Sequence, residues 1–168
     1  NIPLIIGPAG SDDCIAAYNA ANQSSLLISP SCSAAVLATI DGEEKSDSNP
    51  GLFWRTVGPD TAQASVMAAA IVNSLSPQAT LAVIYQNSVY GAGFKESVYD
   101  EIRQLSPDIN LSLYKFERAD TAERQLAWES VAALEPDGIL YLSSDILDIT
   151  GFITILHENP SPNPAPIF

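Results

Sequence analysis

The apolar run Leu26-Leu27-Ile28 stops in Ser29-Pro30-Ser31-Cys32-Ser33, and the chain turns apolar again at Ala34-Ala35-Val36-Leu37. Hydroxyls both donate and accept hydrogen bonds, so a cluster of them at a strand end suits the replacement of a small polar molecule's lost water. Ile5-Ile6 leads in the same way to Gly7-Pro8-Ala9-Gly10-Ser11, and residues 81–85 lead to Gln86-Asn87-Ser88-Val89-Tyr90-Gly91. Residues 139–142 lead to Ser143-Ser144-Asp145. Covalent catalysis would require a nucleophile, a base and an orienting acid. GxSxG is absent, and Cys32 with the single histidine, His157, is the one Cys/His combination. Those two fall in different lobes of the layout below, so no catalytic residue is assigned and the chain is read as a non-enzyme. Cys14 and Cys32 form no CxxC pair, so no metal site is expected. They are either a disulfide of an oxidising compartment or two small buried thiols.

The runs that deliver these groups are near-continuously apolar, which suits strands buried on both faces of a parallel sheet. Between them lie amphipathic helices. Asp60-Thr61-Ala62-Gln63 and Asp120-Thr121-Ala122-Glu123 have the spacing of capping boxes, and Pro77 and Pro136 stop the helices that follow. Strand alternating with helix predicts an α/β fold, doubly wound and Rossmann-like. In such sheets ligands bind beyond the carboxyl ends of the strands, where all the polar clusters lie. Residues 39–51 read as a surface loop and 52–57 as a short apolar strand between two glycines. That strand is read as a crossover between lobes. The expected layout is 1–52 as the end of one lobe, 53–57 as the crossover and 58–168 as the first part of a second, with four strands. Residues 159–166, with four prolines, are a rigid loop into a last strand. Both ends read as cuts through a longer fold.

The 168 residues carry 46% hydrophobic and 16% charged residues, enough for a packed core and too few charges for a disordered chain. The formal net charge of -13 repels phosphate backbones and anionic lipid, so nucleic-acid partners are not expected. No apolar run approaches the ~20 residues of a membrane helix, and no membrane insertion or signal peptide is read.

In order along the chain, four motifs resemble the type I periplasmic-binding-protein fold, the branched-chain amino-acid binding and receptor ligand-binding family. They are Ile5-Ile6-Gly7-Pro8 with Ser11; Leu27-Ile28-Ser29-Pro30 with Ser33; Phe53-Trp54-Arg55-Thr56 with Asp60 and Gln63; and Leu81-Ala82-Val83-Ile84-Tyr85 with Tyr90-Gly91-Ala92-Gly93-Phe94. The resemblance implies part of a two-lobe clamp around a small polar ligand, with Arg55 and Thr56 near a hinge. It implies a periplasmic or extracellular module, with a lipid anchor on the full-length protein as one option, an ABC permease or a receptor signalling domain as partner and no cofactor.

By motif position Ser11 matches a hydroxyl on the ligand carboxylate, and Ser31 a backbone contact to the ammonium. Ser33 matches a Thr or Ser that touches both, and Tyr90 an aromatic that covers the ligand. Cys32 stands in the ligand turn where the family commonly has Ala or Gly, and Ser33 where Thr is frequent, so the ligand's identity stays open. Structural roles compete with each assignment. Ser11 serves equally as an N-cap for a helix from Asp12, and Ser31 and Ser33 as caps of a helix through residues 34–37. Tyr90 serves equally as packing beside a glycine turn. Ser29 reads as structural, Trp54 and Trp128 as core, Asp145 as an N-cap or a cleft residue, and Gly91 and Gly93 as packing or turn glycines. The rival functions are a ligand-sensing receptor domain, a hydrolase-like enzyme, and a structural module that kept the fold and lost its ligand.

Overall fold

The computed structural model describes residues 3–22, 24–42, 46–160 and 165–168. They form two compact units, Asn1–Ala62 and Gln63–Phe168. Each contains a three-stranded, all-parallel sheet alternating with helices, the expected doubly wound α/β pattern.

The first unit runs β1 (Leu4–Ile6), α1 (Ser11–Ala21), β2 (Leu26–Ser29), a 3-10 helix (Ala35–Thr39) and β3 (Phe53–Arg55). Its strand order is β1-β2-β3, with Ile6 beside Ile28, Ile28 beside Trp54 and Ser29 beside Arg55. The stretch expected to cross between lobes is therefore the third strand of this sheet. The division between units comes later, after Ala62, in the first turn of α2 (Asp60–Ser74). Leu27 and Phe53 are neighbours on the buried face, where the Tyr18 ring of α1 meets Phe53 edge-on at 6.5 Å. Pleating turns the next residues to the other face. Leu4, Ile6 and Trp54 are exposed there, and Trp54, expected in the core, keeps 46% of its surface. The surface loop is pinned by Asp41, whose Oδ2 accepts from the Leu52 and Phe53 N–H groups at 2.8 and 2.9 Å. Residues 34–37 form no α-helix. They enter the 3-10 helix, which Ala34 precedes without a side-chain cap, so neither Ser31 nor Ser33 is a cap.

The second unit runs β4 (Thr80–Gln86), α3 (Val89–Leu105), β5 (Asn110–Phe116), α4 (Thr121–Leu134), β6 (Gly138–Leu142) and α5 (Ile146–Glu158), in the order β5-β4-β6. Ile167 bridges Ile139 in parallel, so the fourth expected strand is present only as this start. Residues 161–164 of the proline-rich loop lie outside the described residues. β4 is the central strand and is buried on both faces. Leu81 and Val83 pack with Ala68, Ile71 and Phe94 of α2 and α3. Ala82 and Ile84 pack with Trp128, Val131 and Phe152 of α4 and α5. Trp128 is core, as expected, and its Nε1 donates to the Asn159 carbonyl at 2.9 Å. α3 approaches the end of β4 so closely that a Cβ on Gly91 would sit 2.2 Å from the Gln86 carbonyl oxygen, whereas Gly93 has open space. Among the described residues no helix is long and apolar enough to cross a membrane.

A buried ion pair ties the strand ends of this unit. Arg124 and Asp148, 4% and 1% exposed, meet through Nη1 and Oδ1. Asp148 also accepts from Gln86 Nε2 at 3.0 Å and from the Ala119 N–H at 3.1 Å, which joins the last residue of β4 to the segments after β5 and β6. Removing one partner of such a pair strands the other charge away from water. Asp148→Ala is expected to lower the unfolding free energy by roughly 3–5 kcal/mol in urea titration, and the double change Arg124→Met/Asp148→Leu by less than either single change.

Candidate functional site

The first sheet brings three loops to its carboxyl edge. After β1, Gly7 takes φ +106°, a conformation that glycine adopts without strain, and its N–H bonds to the Ile28 carbonyl at 2.9 Å. The chain then enters α1. The cap of that helix is Gly10, with no side-chain cap bond, and Ser11 is the first helical residue. The expected N-cap role of Ser11 therefore does not exist. Its Oγ reaches the next loop instead and accepts the Ala34 N–H at 3.2 Å.

The turn after β2 is held almost atom by atom. The Ser29 hydroxyl, fully buried, donates to the Pro8 carbonyl at 2.8 Å and accepts the Ser31 and Cys32 N–H groups at 3.3 and 2.9 Å. This is the structural role read from its place before Pro30. The Ser31 hydroxyl donates to the Ala9 carbonyl at 3.0 Å, and Thr56 Oγ1 to the Pro30 carbonyl at 3.2 Å. Arg55 Nη1 donates to the Cys32 and Ala34 carbonyls at 3.3 and 3.0 Å, and the Asp60 N–H to the Ser33 carbonyl at 2.9 Å. Two backbone groups of the turn have no partner among the described residues: the Ser31 carbonyl and the Ser33 N–H. One is an acceptor and one a donor, two residues apart, on an exposed and a half-buried residue.

Cys32 forms a disulfide with Cys14, and both are fully buried. The thiol named as a ligand-turn group is therefore consumed. The bond clamps the turn to α1 across an 18-residue separation. Nor can Cys32 act as a nucleophile, and His157 lies in the second unit, exposed in the last turn of α5.

Asp60 is the residue that its spacing misrepresented. The capping-box reading requires its carboxylate to accept a helix N–H. Asp60 is instead inside α2, 1% exposed, and neither carboxylate oxygen has a hydrogen-bond partner among the described residues. Burial raises its pKa. The Ser33 hydroxyl and the Arg55 charge act in the opposite direction without cancelling it. A buried carboxylate without donors is costly, and groups of this kind cluster at functional sites as well as in structural ion-pair networks. The rule that singled out Ser11 and Ser33, polar residues beyond the carboxyl end of a strand, also applies to residues 55–60. Reading β3 as a crossover hid them.

Ser11, Ser31, Cys32 and Ser33 are thus brought together, with Arg55 and Asp60 added. Tyr90 belongs to the second unit, in the first turn of α3, where its ring packs against Phe94 at 5.7 Å and against that unit's core. The polar clusters of the second unit are occupied by helix caps. Ser88 Oγ accepts the Gly91 N–H at 3.0 Å, Asp120 Oδ1 the Glu123 N–H at 2.9 Å and Asp145 Oδ1 the Leu147 N–H at 2.8 Å. The Asp120 and Asp145 caps are real, but the box at Asp120 does not close: Glu123 Oε2 accepts the Glu117 N–H at 2.7 Å, and the Asp120 N–H goes to the Glu117 carbonyl at 3.1 Å. The Leu147 N–H, and then the Arg118 guanidinium at 2.9 Å, hold the Asp145 carboxyl below its usual pKa. An open cavity of about 370 Å³ in the same unit, lined by Leu113, Lys115 and Leu126 among others, contains none of the residues expected to bind. Among the described residues no three His, Cys, Asp or Glu side chains are grouped to hold a metal ion. The chain matches no known protein-family model, and no curated protein is significantly similar to it.

Two outcomes follow from this geometry. In the folded chain Asp60 holds its proton above the pH at which the unfolded chain releases it. Stability therefore falls as pH rises from the ordinary carboxylate range through the folded pKa. Asp60→Asn is expected to raise the melting temperature near about pH 7, by on the order of a few degrees, and to change it little near about pH 3. For the disulfide, Cys14→Ser/Cys32→Ser is expected to cost about 3 kcal/mol in denaturant unfolding, the loop-entropy value for a loop of this size.

Proposed function

We propose that the chain is a non-enzymatic solute-binding module for a small zwitterion of the amino-acid type, serving an ABC transporter outside the cytoplasm. The observation that carries this reading is Asp60: a carboxylate 1% exposed, neither oxygen of which has a hydrogen-bond partner among the described residues, beside a turn that leaves one donor and one acceptor unpaired among the same residues. An ammonium group supplies the charge and donors that Asp60 lacks, and the Ser31 carbonyl is a second acceptor for it. A carboxylate on the same ligand accepts from the Ser33 N–H. The Ser11 hydroxyl proton has no acceptor among the described residues and adds a donor. A charged donor or acceptor strengthens each of these bonds roughly twofold over a neutral pair.

The four-motif resemblance supports the transporter and the binding of amino acids, and the Cys14–Cys32 bond suits an oxidising compartment. Specificity comes from Asp60 and the two backbone groups, which are left unpaired when a ligand lacks one of its charges.

The test is a thermal-shift screen of the full chain against the common L-amino acids. A ligand at 100 times its Kd adds about 2.7 kcal/mol of stability. The amine-free 4-methylpentanoate and the carboxylate-free isopentylamine are expected to add none. Asp60→Asn is expected to abolish the shift while its ligand-free melting temperature rises, a combination that misfolding does not produce. Binding is expected to weaken as pH falls through the raised Asp60 pKa, because a protonated carboxyl no longer attracts the ammonium. No shift with any amino acid in the wild-type chain would refute the proposal.

A further inference from the structure

We propose that Arg55 is the positioning residue of this site: by holding the Cys32 carbonyl it aims the Ser33 N–H at the ligand. The inference rests on the solute-binding reading above and adds to it how the free donor is kept in place.

A peptide unit is planar, so a carbonyl and the N–H that follows it point in opposite directions from one rigid plate. The Cys32 carbonyl and the Ser33 N–H share such a plate. Arg55 Nη1 is the only described donor to that carbonyl, at 3.3 Å, and with its second hydrogen it takes the Ala34 carbonyl at 3.0 Å. The neighbouring plates are held from other sides. The Ser31 carbonyl is aimed through the Cys32 N–H, which bonds to Ser29 Oγ at 2.9 Å. The plate between Ser33 and Ala34 is held at both ends, by the Asp60 N–H and by Ser11 Oγ. The plate that presents the free donor thus depends on Arg55 alone. With Arg55 removed, the carbonyl of a fully buried residue loses its donor, and rotating the plate toward water would turn the Ser33 N–H out of the site.

Arg55 is well placed for this. It ends β3 opposite Ser29, so strand pairing sets its backbone against the base of the turn. Both hydrogens of one nitrogen in a planar fork reach two carbonyls at once, a geometry that the flexible ammonium of a lysine does not hold. Its charge also acts on Asp60 and lowers that group's pKa. The charge and the grip are therefore two effects that substitution can separate.

The experiment compares Arg55→Met and Arg55→Lys with the wild-type chain in three readouts. These are the Asp60 carboxyl titration by NMR, the ¹⁵N relaxation of the Ser33 amide without ligand, and the shift in melting temperature with an equimolar mixture of the twenty L-amino acids. Arg55→Met is expected to raise the Asp60 pKa, to add conformational exchange at Ser33 and to weaken apparent affinity at least tenfold. Arg55→Lys is expected to return the Asp60 titration to wild type while exchange at Ser33 persists and affinity stays several-fold reduced. Affinity within twofold of wild type in Arg55→Met, or full recovery of affinity in Arg55→Lys, would overturn the positioning role. If the wild-type chain binds no amino acid, the solute-binding reading fails by itself. The Ser33 relaxation then decides the inference: new exchange in both variants supports the grip, and wild-type relaxation overturns it.

Discussion

A parallel sheet sends all its strands out at one edge, so the carboxyl ends of β1, β2 and β3 meet there whatever their side chains are. Everything at the candidate site depends on that constraint. It puts Ser11, the turn of residues 29–34 and the segment of residues 55–60 within hydrogen-bond reach, although up to 49 positions separate them in sequence. Once they are adjacent, the need to satisfy buried backbone groups does the rest. Ser29 takes two N–H groups, Ser11 takes one and Arg55 takes two carbonyls, until one donor and one acceptor of the turn remain open among the described residues.

Asp60 stands against this economy. Elsewhere in the chain, carboxylates at helix starts are met: Asp120 and Asp145 each accept a backbone N–H of their own helix. Asp60 sits one position too far into its helix to cap it and is buried without a hydrogen-bond partner among the described residues. Natural chains are locally consistent except where function requires otherwise, and that is the ground on which Asp60 is proposed as a ligand contact. Its proposed role and its cost have one source. The desolvation that destabilises the ionised carboxyl also strengthens its attraction for a cation.

The second unit has the same edge and a similar inventory of serines, amides and acids, with a different result. Ser88, Asp120 and Asp145 are caps, Gln86 and Asp148 bind each other, and Arg124 completes a buried pair. Polar residues at strand ends are therefore an ambiguous sign. What separates a ligand edge from a structural one is which hydrogen-bonding capacity is left over after the fold has taken its share.

The sequence by itself determined the α/β class, the strand-helix alternation, the helix start at Asp120 and the gathering of Ser11, Ser31 and Ser33. These follow from apolar periodicity and from short-range capping chemistry, which depend on neighbours a few positions away. Only the tertiary structure decided that β3 belongs to the first sheet, that Trp54 is exposed, that Cys14 and Cys32 are bonded and that Asp60 caps nothing. Each of those depends on which distant segment lies alongside. Strand pairing, burial and the satisfaction of a carboxylate are properties of neighbours in space, and local spacing carries no record of them.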